Sequence, residues 1–165
     1  MCSFVAFLRT RIIAFVITLA LLVSLSACSE KASPKEALEC FCKEYGLSGD
    51  ILSPSYREGD AGHIDESFFE YVFLESSDSV SDYAVIFLST LDRISECSVF
   101  LCYSEYDAIL VIEMLWRRVD FLKSSAIGMD ISNLSDAVVF KSGKYAVMCA
   151  LPDNASAERI WRKIL

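Results

Sequence analysis

The chain has 165 residues, 54% of them hydrophobic and 12% aromatic, and a formal net charge of −8. That length holds one domain with a proper core beside a terminal segment. The acidic balance argues against nucleic acid and against a polybasic grip on anionic lipid, and suits a cationic partner or a solvated acidic surface.

The N-terminus reads as an export signal. Arg9 and Arg11 precede the apolar run Ile12–Val23, and no charged residue follows until Glu30. A basic stretch, an apolar stretch and small residues at Ser26 and Ala27 are the three parts of a secretory signal. Leu25-Ser26-Ala27-Cys28 looks like the bacterial lipobox. In that motif small side chains fit the peptidase cleft, the cysteine thiol takes a diacylglyceryl group, and cleavage leaves Cys28 as the first residue. The alternative is an uncleaved signal anchor, for which the run is marginal in length and diluted by Thr18, Ser24 and Ser26. Both place the following domain on the extracytoplasmic face. Removal of residues 1–27 takes two arginines and no acids, leaving 13 basic against 23 acidic residues, or −10.

Residues 28–33 then form a lipidated cysteine and a short tether, and residues 34–165 a single domain. Ser33-Pro34-Lys35-Glu36 opens a helix with a capping box, which Gly46 stops. Residues 47–63 read as a loop rich in Gly, Ser and Pro. Asp65 caps a second helix carrying Phe68, Phe69, Val72 and Phe73 at helical spacing, although so many aromatics also suit a strand. Ser76 to Ser81 resembles a linker. Tyr83–Leu88 and Cys97–Cys102 are near-continuous apolar runs, as expected of strands covered on both faces. Ser104, with Asp107, caps a long helix over about 105–123, whose expected buried stripe is Ile109, Ile112, Trp116 and Val119, with Val111, Leu115 and Leu122 beside it. Glu113 and Arg117 are spaced as an i,i+4 pair. Ala137–Phe140 and Tyr145–Leu151 flank Lys141-Ser142-Gly143-Lys144 as a hairpin. Asp153 or Asn154 caps a closing helix that buries Ala157, Ile160, Trp161 and Ile164. The expected fold is α+β: a four-stranded antiparallel sheet in ββα-ββα order with packed helices, behind two short N-terminal helices.

The succession Ile64–Phe69, Asp82–Val85, Glu96–Phe100, Arg117-Arg118, Gly143–Val147 and Pro152-Asp153 resembles a family of small uncharacterised bacterial lipoproteins, mainly from Gram-positive anaerobes, that carry a single domain of unknown function. The resemblance spans most of residues 35–165. It implies a location and a fold type, and it transfers no activity and no site residue.

Several groups could carry chemistry. Glu58 to Asp82 holds eight carboxylates and the chain's only histidine, His63. Asp60, His63, Asp65 and Glu66 have ligand types for a hard or borderline cation, but their spacing fits no zinc or EF-hand motif, and Asp65 is better used as a cap. His63 lacks the local signature of a nucleophile's base, and Ser142-Gly143 is a turn rather than a nucleophile elbow. Arg117 and Arg118 point about 100° apart, so one is expected to pair with Glu113 and the other with a loop acid or a partner. Phe68, Phe69, Tyr71 and Phe73 either wedge the second helix into the sheet or present an apolar face. Cys40, Cys42, Cys97, Cys102 and Cys149 contain no C-x-x-C. The last three lie in apolar runs where a free thiol behaves as a small hydrophobe, which suits a low-oxygen habitat, and a single disulfide is compatible with the sequence.

The expectation is a non-enzymatic binding or interaction domain held at the cell membrane by lipid on Cys28, with no cofactor and no nucleic acid. Its partner would be a protein or a small ligand. The alternatives are solute capture in a pocket between sheet and helices, and hydrolysis of cell-wall material by clustered carboxylates.

Overall fold

The computed structural model describes residues 32–90 and 92–165. Residues 1–27, Cys28 and the tether as far as Lys31 lie outside that range, and so does every expectation that falls on them.

Among the described residues the elements run α1 (Pro34–Tyr45), β1 (Ile51–Leu52), α2 (Glu66–Phe73), β2 (Val80–Phe87), β3 (Glu96–Cys102), α3 (Glu105–Ser125), α4 (Ser132–Ser135), β4 (Val138–Ser142), β5 (Tyr145–Ala150) and α5 (Asn154–Ile164). The strands form one antiparallel sheet in the order β1-β2-β3-β5-β4. The fold is α+β, as the run of strand and helix patterns implies.

Two parts of the expected architecture need correction. The sheet has five strands: Ile51 and Leu52 pair with Ile86 and Val85 inside the stretch read as loop, so a strand stands between the two N-terminal helices. Two residues are too few to show an alternating pattern; their strand character comes from the partner edge. The presumed linker also yields residues to the sheet, because β2 starts at Val80.

The strands pair because β3 and β5 lack a solvent face. Every residue of β5 is buried, as is all of β3 except Leu101. Such strands need cover on both sides. On one side α1 and α5 bring Ala37, Leu38, Phe41, Ala157 and Trp161 onto Ala84, Val99, Val147 and Cys149. On the other α2 and α3 bring Phe69, Phe73, Val111 and Leu115 onto Tyr83, Phe100, Ala146 and Met148. Trp161 stacks on Phe41 at 4.6 Å between centroids, and its indole N–H donates to the Cys149 sulfur at 3.2 Å.

The caps form as their residues dictate. Ser33 and Glu36 close a reciprocal capping box, Gly46 ends α1 in the left-handed region at φ 82°, and Asp65, Ser104 and Asp153 cap α2, α3 and α5. On α3, however, the buried face is Ala108, Val111, Met114, Leu115, Val119 and Leu122, whereas Ile109 and Trp116 of the expected stripe are exposed. Ala108, fully buried, lies on this face and packs in one cluster with Val111, Leu115 and Ala146. Hydrophobicity alone ranks Ile and Trp above Ala and so selects the neighbouring flank.

Trp161 anchors the α1–α5 layer. Trp161→Ala should lower the unfolding free energy by about 3–5 kcal/mol in a urea titration, with Trp161→Phe losing much less because the stack on Phe41 survives.

Candidate functional site

A bulge in β2 builds the most distinctive surface feature. Val80 pairs with Cys102 and Asp82 with Leu101, so Ser81 is an extra residue opposite that step, and its hydroxyl donates to the Leu101 carbonyl at 2.9 Å. In a regular strand Val80 and Tyr83 would face opposite sides. The bulge shifts the alternation by one, and both side chains join the α2–α3 face.

Tyr83 therefore points under α2 instead of into the other layer. Its ring meets Phe69 edge-on at 5.1 Å and stacks with Phe100 at 5.9 Å. Above it opens a cleft of about 340 Å³ lined by Pro54, Glu66, Phe69, Ser77, Asp78, Val80, Ser81, Asp82, Tyr83 and Tyr103. Three of these are carboxylates and none is basic.

The carboxylates are held in place. Asp82 accepts from the Ser55 hydroxyl at 2.7 Å and from the Tyr83 N–H at 2.8 Å. Glu66, in the first turn of α2, accepts from Ser77 at 3.4 Å. Asp65 beside it accepts from the Ser67 hydroxyl and the Phe68 N–H, and these bonds hold its carboxyl below the usual range. Tyr83 differs from all of them: it is only 5% exposed, and its hydroxyl is buried with no hydrogen-bond partner. Burial, followed by the charges of Asp65, Asp82 and Glu66, pushes that phenol up to about 12. It stays a neutral hydroxyl in the field of these negative groups.

The arginines are spent on other acids. Arg117 reaches Glu75 at 2.8 Å, a loop acid after α2, instead of the expected Glu113. Arg118 lies inside: its Nη2 donates to Glu96 Oε2 at 2.9 Å and its Nη1 to the Val72 carbonyl at 2.8 Å. Glu96 is 1% exposed, and burial pushes its carboxyl upward against the pull of Arg118. The pair ties β3, α3 and the last turn of α2 together. It lies at the opposite end of β3 from Tyr103.

Of the remaining candidates, His63 bonds through Nδ1 to the Tyr56 carbonyl at 2.9 Å, which makes that nitrogen the N–H donor and fixes the loop before α2. Asp60, His63, Asp65 and Glu66 are not brought together as ligands; no group of three potential ligands suited to a metal ion occurs among the described residues. Phe69 and Phe73 wedge α2 into the core, and Tyr71 is exposed. The five described cysteines are free thiols. Cys97 and Cys149 oppose each other across β3 and β5 with sulfurs 3.2 Å apart, and burial pushes Cys42 up to about 11 and Cys102 up to about 12. Such thiols are poor nucleophiles. Sequence reading missed Glu96 and Tyr83, since each sits in an apolar strand pattern; a charged residue opening such a strand was the available signal for Glu96.

No family model, curated protein or solved structure matches the chain. Among the described residues no helix is long and apolar enough to cross a membrane.

Removing one partner of a buried ion pair strands the other charge. Arg118→Ala should cost about 3–5 kcal/mol of stability, and the pair Glu96→Leu with Arg118→Met should recover most of it, both read from chemical denaturation.

Proposed function

We propose that the protein is exported, cut before Cys28 and held by lipid on that residue at the extracytoplasmic face of the cell membrane. There its domain binds a small ligand in the α2–β2 cleft without transforming it. The observation that carries the binding reading is Tyr83, which lines an acidic cleft and whose hydroxyl is buried and unpartnered. An unsatisfied buried polar group is costly, and a ligand that supplies the missing bond recovers that cost.

The tether supports a position close to the bilayer. The Tyr145 hydroxyl donates to the Ala32 carbonyl at 2.6 Å, so the chain is already tied to the domain at that residue. Four residue steps from Cys28 to Ala32 span at most about 14 Å when extended. A domain on so short a leash meets membrane-side solutes at raised effective concentration. One acyl chain gives marginal attachment, and two or more hold firmly. The pattern of Arg9, Arg11, the apolar run and Leu25–Cys28 carries the anchoring part of the reading, together with the resemblance to small lipoproteins.

A second reading, docking of a protein, draws on the outer flank of α3, where Tyr106, Ile109, Leu110 and Trp116 are exposed. The hydrolase reading is weaker. It needs a carboxyl kept protonated in a cleft, whereas the carboxyl that burial pushes up, Glu96, is buried against Arg118 away from it.

Cys28→Ala should leave an uncleaved precursor of full signal length in the membrane fraction, detected by intact mass. Normal cleavage and membrane retention of that variant would rule out the lipid anchor.

A further inference from the structure

We propose that the α2–β2 cleft takes a small organic primary amine, bound as its ammonium ion by Asp82, Glu66 and the Tyr83 hydroxyl. This rests on the reading of the cleft as a binding site and adds the chemical class of its ligand.

Charge comes first. Glu66, Asp78 and Asp82 line the cleft with no basic side chain among the lining residues, and Asp65 adds its charge to the field at Tyr83. Like charges converging on one concavity repel each other, and a bound cation relieves that repulsion. An anion or a zwitterion presenting its carboxylate would be turned away.

Hydrogen bonding narrows the cation. The Tyr83 hydroxyl has a free acceptor site and the carboxylates have lone pairs beyond those used by Ser55, Ser77 and the Tyr83 N–H. A primary ammonium brings three donors in a tripod and can serve several of these acceptors together. A quaternary ammonium brings none and would leave Tyr83 unsatisfied.

The walls ask for carbon. Pro54, Phe69, Val80 and Tyr103 give the cleft an apolar side, and Tyr103 is largely exposed with its ring available to a cation or to an apolar body. A volume of about 340 Å³ lies at the small end of ligand sites and suits a compact molecule. An amine with a short apolar or aromatic body meets all three conditions.

The test is isothermal titration of the mature lipidated protein in detergent with three probes that share a phenethyl body: phenethylamine, 2-phenylethanol and 3-phenylpropanoate. Phenethylamine should bind at least roughly tenfold more tightly than either of the others, and its binding should weaken as salt is raised. Tyr83→Phe should weaken it by roughly tenfold while leaving thermal stability of the free protein unchanged or raised, because the variant deletes an unsatisfied hydroxyl. Equal binding of the alcohol and the amine would overturn the ligand class and leave the cleft as a site. Amine binding unaffected by Tyr83→Phe and by Asp82→Asn would overturn the location. If none of the three binds, the amine assignment falls; the cleft reading then stands if protein extracted from its own membrane carries a noncovalent mass that Tyr83→Phe removes, and falls if it does not.

Discussion

The pairing of β3 with β5 is the constraint on which the rest of the structure depends. Six residue pairs, from Glu96–Ala150 to Leu101–Tyr145, join a hairpin made of β2 and β3 to one made of β4 and β5. Both central strands are apolar on both faces, so neither hairpin can stand alone in water. Each face demands a layer of helix, and the chain supplies α1 with α5 on one side and α2 with α3 on the other. The Glu96–Arg118 pair sits where β3 begins and pins α3 to the sheet. Buried ion pairs are a weak source of net stability, and this one acts chiefly by fixing how α3 lies on β3 and where α2 ends.

The cleft follows from one irregularity in that arrangement. If β2 kept a regular alternation from Val80 onward, the Tyr83 ring would enter the α1–α5 layer and Asp82 would take its place under α2. The extra residue Ser81 turns the ring under α2 and places Asp82 at the rim. The packed sheet and the cleft are thereby set by different parts of the same strand. Its inner residues Ala84, Val85 and Ile86 belong to the packed sheet, while its first four shape a cavity with an unsatisfied hydroxyl.

Much of this was legible in the residues. The caps at Ser33, Asp65 and Ser104 are local chemistry and read directly, the last cap narrows to Asp153 or Asn154, and the two apolar hairpins announce themselves by composition. The α+β class follows from their order. What stayed hidden depends on distant partners. Ile51 and Leu52 become a strand only because β2 offers an open edge, and the face that α3 buries is set by its packing into one cluster with Phe100, Ala146 and Met148. The acidic stretch from Glu58 to Asp82 was visible as a run of charge. That Glu66, Asp78 and Asp82 share a cleft while Asp60 and Glu58 do not depends on a bulge that no periodicity reveals. Arg117 reaching Glu75 instead of Glu113, and Arg118 reaching the buried Glu96, are likewise tertiary facts.

The domain thus couples a doubly covered sheet to a small acidic recess at one corner. The most direct test is a crystal structure of the protein purified from its own membrane in mild detergent. The account predicts electron density in the cleft within hydrogen-bonding distance of the Tyr83 hydroxyl, Asp82 and Glu66. An unfilled cleft, with a bound molecule or protein on the exposed flank of α3 instead, would contradict it.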